Sequence, residues 1–201
     1  MLNKFFNLLQ KRNSSDEVFN QYSDKQTITN LKIYFEYLQL NNPGILMIGE
    51  APGYKGCRLT GIPFTSGKII LESKHKIFKE IKNKVNIPHK IVSENTASIV
   101  WNFLEQYKKP VPIFWNAFPF HPHIKNNPNS NRKPTKKEIE EGKIYLTLIY
   151  KFFNPAKLCS IGKTGEKILK DLFPNKEVIY IRHPSYGGKK EFIEGMKKNF
   201  N

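Results

Sequence analysis

The chain has 201 residues, of which 39% are hydrophobic and 13% aromatic, so we expect a single globular domain with a substantial core. Its 33 lysines and arginines outnumber its 17 acidic residues, which gives a net charge of +16. This composition excludes a wholly disordered chain and favours an anionic partner, with nucleic acid first and a membrane surface second.

Two short segments precede the first predicted strand. Helices are predicted in "NKFFNLLQKR" and in "DEVFNQYSDKQTITNLKIYFEYLQLN". Helical spacing in the second segment is set by Leu31, Tyr34, Phe35 and Leu38. We interpret residues 1–42 as a helical extension of the single domain 1–201. The start, "MLNKFFNLLQKRN", has no small-residue cleavage site and is expected to be a surface helix rather than a signal peptide.

The first strand is predicted in "ILMIG", directly after Pro43-Gly44. Its apolar run does not alternate, which is typical of a parallel strand covered on both faces. A glycine-rich loop, "GEAPGYKGCRLTGIPFTSG", follows it. Helices are then predicted in "GKIILESKHKIFKEIKNKV" and "SENTASIVWNFLEQY", the latter with Ser93 or Asn95 as its N-cap. The inner face of that helix is predicted at Ile99, Val100, Phe103 and Leu104.

The second half of the chain alternates strands and helices. "VPIFWNAFPFHPH" begins as a strand, and Thr135 with Glu138 forms a capping box that opens the helix "KKEIEEGKIYLTLIYKFF". "AKLCSIG" and "EVIYIRHPS" are further strands, separated by the helix "KTGEKILKDLF", and a last helix begins at about Lys189. This order predicts a three-layer α/β/α fold with a central four-stranded, mostly parallel sheet.

Conspicuous residues follow each predicted strand. Ligands of such folds bind beyond the carboxyl ends of the strands, so we expect these residues to converge on one site. They are Gly49-Glu50-Ala51-Pro52-Gly53, Asn116, Gly162-Lys163-Thr164 and His183-Pro184-Ser185.

Most single residues here allow two interpretations. Glu50 suits a loop-bracing or a catalytic carboxylate, and Phe64 suits the core or a stacking surface. Asn116 suits a loop brace or a reader of a base edge, because its amide has both a donor and an acceptor. The glycine-rich loop lacks the Lys-Ser/Thr ending of a P-loop and the spacing of a dinucleotide fingerprint, which argues against an ATPase or a nucleotide-dependent dehydrogenase.

Metal and serine-hydrolase chemistry are both disfavoured. His121 and His123 are two residues apart, but no nearby cysteine or carboxylate completes a ligand set. Two cysteines are too few for a disulfide framework or an iron–sulfur cluster, and a reduced cytoplasm fits them. A hydrolase using Ser185 and His183 lacks a Gly-x-Ser-x-Gly elbow, and side chains two apart on an extended turn are expected to meet rarely. A histidine there can instead donate to an oxygen that gains negative charge.

Four motifs in order, "GEAPG", "TGIPFTS", "WNAFPFHP" and "RHPS", resemble the uracil-DNA glycosylase superfamily from roughly Ile45 to the C-terminus. "GEAPG" is similar to the first motif of a thermophilic iron–sulfur branch. "SENTASIVW", "NRKPT" and "RHPSYGG" are similar to a bacterial uracil-DNA-glycosylase-like group without the cluster. The resemblance implies a monofunctional DNA glycosylase for base excision repair, which flips uracil out of DNA and hydrolyses its N-glycosidic bond to leave an abasic site. It also implies DNA as partner, no metal or cofactor, no membrane, a cytoplasmic location and a monomer.

The resemblance also implies roles for individual residues. Phe64 would stack on the flipped base, Asn116 would hydrogen-bond its Watson–Crick edge, and His183 would stabilise charge on base O2. Glu50 would position or activate water. The other substrate-binding positions would be Gly49, Ala51, Pro52 and Gly53. DNA would be contacted by Arg58, Lys163, Thr164, Pro184, Ser185, Tyr186 and Gly187, the Tyr-Gly pair standing where the superfamily inserts its wedge.

Two departures from the superfamily pattern keep alternatives open. Gly53 stands where the most active branch has a tyrosine that excludes 5-substituted pyrimidines, which predicts a modified or bulky pyrimidine substrate, for example in foreign phage DNA. Ala51 stands where that branch has an aspartate, which predicts a non-catalytic DNA-binding relative. A hydrolase built on Ser185 ranks last.

Overall fold

The computed structural model describes residues 2–41 and 43–200. Met1, Asn42 and Asn201, which delimit the predicted extension and domain, lie outside the described residues. The strands are β1 (Val18–Phe19), β2 (Ile45–Gly49), β3 (Ile113–Asn116), β4 (His121–Pro122), β5 (Lys157–Ile161) and β6 (Val178–Ile181). The α-helices are α1 (Leu2–Lys11), α2 (Lys25–Asn41), α3 (Cys57–Thr60), α4 (Gly67–Glu72), α5 (Lys76–Ile81), α6 (Asn95–Gln106), α7 (Lys136–Phe153), α8 (Lys163–Leu172) and α9 (Lys189–Asn199).

The central sheet has the strand order β3-β2-β5-β6, and all three pairings are parallel. Leu46, Met47 and Ile48 of its middle strand β2 are fully buried, because helices flank the sheet. Helix α8 packs especially closely, since a Cβ on Gly165 would lie 2.3 Å from the Ile48 carbonyl oxygen. The predicted α/β fold with a four-stranded parallel sheet is confirmed.

The N-terminal helices belong to the same core. The ring of Phe5 in α1 stacks on Phe35 of α2 with centroids 5.5 Å apart, and it lies 5.4 Å from the ring of Trp115 in β3. All three side chains are buried. The segment predicted as an extension therefore covers one part of the sheet, and its removal would expose large aromatic surface.

The second predicted helix begins later than expected. Residues 16–24 form β1, which pairs antiparallel with β4, and the 3-10 helix Gln21–Ser23. The buried Asn20 explains the difference, because its side chain accepts from the Tyr22 amide and donates to the Leu9 and Arg12 carbonyls. Asparagine that bonds local backbone in this way competes with helix formation.

Helix boundaries differ from expectation at two more places. The stretch from Gly67 forms two short helices, α4 and α5, because the His75 ring caps a new helix start. Helix α6 is capped by Glu94, whose carboxylate accepts from the amides of Thr96 and Ala97, so the predicted caps Ser93 and Asn95 were wrong. Its inner face is as predicted, with Val100, Phe103 and Leu104 buried and Ile99 half-buried. The capping box of Thr135 and Glu138 is confirmed.

Candidate active site

A cavity of about 340 Å³ lies at the carboxyl ends of the central strands. It is bounded by the loop after β2, the segment before α4, the start of α6, the end of β3, and the loops after β4 and β6. Its lining includes Glu50, Ala51, Pro52, Gly53, Phe64, Glu94, Asn116, Asn131, Arg132, His183, Ser185 and Tyr186. The structure thus brings Phe64, Asn116 and His183 to one cavity, as expected for parallel strands whose ends meet at one edge.

The ring of Phe64 and the amide of Asn116 both pack directly on the backbone of Gly49. A Cβ at Gly49 would lie 2.4 Å from Phe64 Cζ and 3.0 Å from Asn116 Oδ1, so any larger residue would displace both groups. In the sheet, Gly49 pairs with Asn116 across β2 and β3. This glycine therefore sets the spacing between the aromatic ring and the amide.

Phe64 holds an unusual backbone conformation, with φ of 53°, which a non-glycine residue rarely adopts. Two contacts hold it there. Trp101 Nε1 donates to the Phe64 carbonyl at 2.9 Å, and the Phe64 ring packs on Phe114 with centroids 5.0 Å apart. Strained residues of this kind cluster at functional sites, where the surrounding structure maintains them. The result is a half-buried ring that faces the cavity.

Asn116 is only 4% exposed, yet its side-chain amide makes no hydrogen bond to any other described residue. Its amide nitrogen and oxygen are not fully enclosed by protein, and they open onto the cavity. Its donor and its acceptor are both available to a ligand in the cavity.

His183 is held in a defined protonation state. The Ser185 backbone N–H points at His183 Nδ1 from 3.2 Å, and Ser185 Oγ lies 2.5 Å from the same nitrogen. Because a backbone N–H can only donate, Nδ1 is the unprotonated nitrogen and Nε2 carries the proton. Burial lowers the pKa of His183. The negative charges of Glu94 and Glu50 oppose this shift, and the positive charge of Arg182 adds to it. The ring is therefore neutral at neutral pH and offers Nε2–H as a donor.

The contact between His183 and Ser185 corrects the expectation that these side chains would rarely meet. The turn after β6 folds back tightly, since Gly188 donates its amide to the Ser185 carbonyl at 3.1 Å. A serine-hydrolase triad is still incomplete within the described residues, because no carboxylate there hydrogen-bonds the ring of His183.

Glu50 is joined to the start of α8. Thr164 donates its hydroxyl to Glu50 Oε2 at 2.5 Å, which fixes the carboxylate beside the cavity. The resemblance implies that Thr164 contacts DNA, and in the structure its hydroxyl donates to Glu50. Lys163 bonds Glu166 at 3.0 Å and lies 4.0 Å from the Tyr180 ring centroid, so this predicted DNA contact also has protein partners.

Arg58 is similarly engaged. Its guanidinium donates to Asn129 Oδ1 at 3.0 Å and lies 5.3 Å from the ring centroid of Phe19, and burial lowers its pKa.

Tyr186, in contrast, has no such partners among the described residues: 97% of its surface is exposed, and it has φ of 52° at the tip of the loop after β6. Gly187 follows it, also with a positive φ, of 77°. Pro184 is buried beneath this tip.

The sequence did not single out Glu94, Asn131 and Arg132, which also line the cavity. Glu94 is drawn to the cavity by its capping role at α6. Asn131 reaches it from the polar loop after β4 and accepts the Tyr54 amide at 3.0 Å. Arg132 is locked by two 2.9 Å bonds to Glu138. Only the motif "NRKPT" pointed to that loop.

Comparison with protein families identifies the family of the chain. Residues 35–200 match the family model described as the Uracil DNA glycosylase superfamily. The chain belongs to the uracil DNA glycosylase superfamily. Members of this superfamily are typically DNA N-glycosylases. A comparison with curated protein sequences gives no significant match.

Structural comparison finds a solved structure with the same fold. The crystal structure of wild-type SMUG2 from Pedobacter heparinus superposes with a TM-score of 0.66. The alignment covers 98% of this chain and 95% of that chain at 16% sequence identity. At this identity the similarity shows a shared fold and does not carry over a substrate.

The two departures from the superfamily pattern both line the cavity. A Cβ on Gly53 would meet only Asn131 Oδ1, at 3.9 Å, so space for a side chain is open at this wall. Ala51 is half-buried and brings no carboxylate of its own. The acid that the cavity offers on this loop is Glu50.

His121, Cys57 and Cys159 are all buried. His121 Nδ1 lies 2.7 Å from the Pro52 carbonyl oxygen and Nε2 lies 3.1 Å from that of Pro128, while burial lowers the pKa of His121 to about 4. Cys57 and Cys159 are buried and unpaired, and burial raises the pKa of each thiol to about 12. Among residues 2–41 and 43–200, no three metal-ligating side chains cluster, and no helix is long and apolar enough to span a bilayer.

Proposed function

We propose that the protein is a monofunctional DNA glycosylase that removes uracil from DNA and leaves an abasic site. The observation that carries this proposal is the Asn116 amide, which opens onto the cavity beside the Phe64 ring, in the same cavity that the neutral His183 lines. A flat, hydrogen-bonding ligand suits these three groups, and a nucleobase is such a ligand.

Base recognition would use the amide and the ring together. Uracil presents an N–H donor beside a carbonyl acceptor on its Watson–Crick edge, and the acceptor and donor of the Asn116 amide complement that pair. The Phe64 ring supplies a stacking surface, an interaction worth about 1–3 kcal/mol per base. Flipping the base out of a duplex costs a few kcal/mol, which phosphate contacts of this basic protein offset.

Bond cleavage would divide charge between the sugar and the base. As the N-glycosidic bond breaks, its electron pair moves to the base and the sugar becomes oxocarbenium-like. The Nε2–H of His183 would donate to base O2, and one such donor to a developing anion is worth about 2.7–4 kcal/mol. Glu50, fixed by Thr164, would stabilise the sugar cation and orient water. Water then adds its hydroxyl to C1′, and its proton balances the released base.

Contacts with DNA would surround the cavity mouth. Tyr186, which is exposed, would enter with Gly187 the space that the flipped base leaves. We further propose that the protein acts as a monomer, without a cofactor, in cytoplasmic base excision repair. Glu50, Gly49, Ala51 and Pro52 would line the sugar side of the bound nucleotide.

A second candidate keeps the chemistry and changes the base. The open space at Gly53 supports a pyrimidine with a 5-substituent, including modified bases of foreign phage DNA. A DNA-binding relative without catalysis is the third candidate, and it is supported by Ala51. A hydrolase that uses Ser185 is supported only by the contact of Ser185 with His183. A protein that does not react with a fluorophosphonate probe would exclude this candidate.

A substrate panel tests these candidates together. The purified protein is incubated with oligonucleotides that contain uracil, thymine or 5-substituted pyrimidines, and abasic product is read as strand breaks after alkali. We expect breaks at uracil that Asn116→Ala combined with His183→Ala reduces to background. Breaks only at 5-substituted bases would establish the second candidate, and salt-dependent DNA binding without any product would establish the third.

A further inference from the structure

The candidate active site carries negative charge, although the chain as a whole has a net charge of +16. Within the described residues, its charged lining consists of the carboxylates of Glu50 and Glu94 and the guanidinium of Arg132. The guanidinium is balanced by its ion pair with Glu138, and the lowered pKa of His183 leaves that ring neutral. Glu50 has a role in the proposed cleavage, whereas the charge of Glu94 has none there.

Arg132 has no donor left for a ligand. A guanidinium has five N–H groups, and all five of these bond protein oxygens at 2.9 or 3.1 Å. The acceptors are the carboxylate of Glu138 and the carbonyls of His123, Lys133 and Glu17. The positive charge of the lining is therefore used within the protein.

The open wall at Gly53 has hydrogen-bond acceptors beside it. Gly53 is part of a tight turn, in which the Gly56 amide donates to the Gly53 carbonyl at 3.1 Å. Asn131 Oδ1 accepts the Tyr54 amide of this turn at 3.0 Å and lies 3.9 Å from the position of a Cβ on Gly53. Glu94 packs on the same turn, because a Cβ on Gly56 would lie 3.2 Å from Glu94 Cγ. An amide oxygen and a carboxylate thus flank the open space.

Glu94 is held firmly and its charge acts on the cavity. Its two oxygens accept the amides of Thr96 and Ala97 at 3.0 and 2.6 Å, and each oxygen can accept a further donor. The negative charge of Glu94 opposes the lowering of the His183 pKa more strongly than that of Glu50 does. A ligand in the cavity is therefore within the field of a fixed carboxylate.

A wall that is open at this position must discriminate against thymine, which is 5-methyluracil and a normal base of DNA. The base itself would be held by the Asn116 amide, which opens onto the same cavity. A methyl group would then displace water from Asn131 Oδ1 and the Glu94 carboxylate without replacing its hydrogen bonds, which is unfavourable. A charged amine would replace them with charge-assisted bonds.

We propose that Glu94 and Asn131 select a pyrimidine whose 5-substituent carries a positively charged amine, such as a 5-aminomethyl group, and that they reject thymine. The proposal rests on the proposed glycosylase function and names the substrate class of its second candidate. The reaction is unchanged: the bond between C1′ and the base breaks, and its electron pair leaves with the base. The hydroxyl of water bonds C1′, the water proton balances the base, and the substituent stays intact.

Binding and cleavage are measured separately to test this proposal. The oligonucleotides contain uracil, thymine, 5-aminomethyluracil or 5-carboxyuracil at one position, and 2′-fluoro versions that resist cleavage give the Kd by fluorescence anisotropy. Glu94→Gln removes a charge from the wall. Asn131→Asp adds one, keeps an oxygen for the Tyr54 amide and leaves the cap of α6 intact, so it tests the proposal even where Glu94→Gln fails to fold. Glu80→Gln on α5, outside the cavity lining, is the charge-matched control.

We expect 5-aminomethyluracil DNA to bind at least about tenfold more tightly than thymine or 5-carboxyuracil DNA, and the cleavage ratios to follow the same order. Glu94→Gln should reduce this preference to less than about threefold, Asn131→Asp should increase it, and Glu80→Gln should leave it within about twofold. Cleavage of uracil without any preference for the amine would overturn this proposal and leave the glycosylase function standing. A preference in binding without cleavage of any oligonucleotide would support the role of the wall and refute the glycosylase function.

Discussion

Thr164 and Glu50 are 114 residues apart in the chain, and the threonine hydroxyl donates to the carboxylate at 2.5 Å. The bond connects the loop after β2 to the first turn of α8, so two parallel strands jointly fix one acid beside the cavity. A carboxylate that must orient water gains from such a brace, because a free glutamate samples several rotamers.

Thr164→Val is therefore expected to lower kcat about tenfold with little change in KM, whereas Thr164→Ser restores most of kcat. Single-turnover kinetics on uracil-containing DNA measure the effect. If Thr164 instead contacts phosphate, the valine variant would raise KM and reduce the salt dependence of DNA binding while leaving kcat unchanged.

Gly49→Ala is expected to abolish most activity, with a loss of about 100-fold or more, because the methyl group would push the Phe64 ring and the Asn116 amide apart. Gly44→Ala is the matched control, since a Cβ there has nothing within 4 Å. Circular dichroism should show both variants folded. Full activity of a folded Gly49→Ala variant would contradict the role given to the ring and the amide.

Gly53→Tyr is expected to close the open wall of the cavity. Activity on uracil should stay within about tenfold of the original protein, and any activity on 5-substituted pyrimidines should fall further, because a side chain of this size fills the free space. Competition between uracil and 5-substituted oligonucleotides in one reaction measures the ratio. An unchanged ratio would show that Gly53 does not face the base.

The buried His121 is expected to make the protein less stable in acid. Burial lowers the pKa of His121 to about 4 in the folded chain, below the usual value of about 6.5, so the unfolded chain binds the proton first as the pH falls. This contribution to stability is complete above about pH 6.5 and declines towards pH 4, by at most about 3 kcal/mol.

Urea unfolding of the original protein and of His121→Gln between pH 4 and pH 7.5 checks this expectation. The glutamine variant should show a shallower decline in the free energy of unfolding across that range. Parallel declines in the two proteins would mean that other groups govern acid sensitivity.

Most of the fold could be predicted from the hydrophobic pattern of the sequence and from the order of its strands and helices. The unbroken apolar run of β2 and the alternation of strands with helices predicted the parallel sheet, because these patterns follow directly from two-sided burial. Positions where a side chain hydrogen-bonds nearby backbone groups, and so ends or begins a helix, were harder to predict. Asn20 shortened a predicted helix, and Glu94 displaced the expected caps, since both depend on which backbone groups lie within reach in three dimensions.

The main residues of the candidate site were predicted, whereas the residues that hold them in position were not. Asn116 and His183 follow strand ends, which predicted that they would lie together, and the resemblance to the superfamily added Phe64. Asn131 approaches from a polar loop whose path is set by β1 pairing with β4, two strands too short to show a pattern. The brace between Thr164 and Glu50 joins distant segments, which no local pattern reveals.

The proposed function requires that one cavity holds an everted base between the Phe64 ring, the Asn116 amide and the His183 imidazole. A crystal structure with duplex DNA containing 2′-fluoro-2′-deoxyuridine, whose fluorine slows cleavage, tests it directly. We predict the uracil ring stacked on Phe64, paired with the Asn116 amide and bonded through O2 to His183 Nε2. A uracil that remains stacked in the duplex, or that occupies another part of the protein, would contradict the claim.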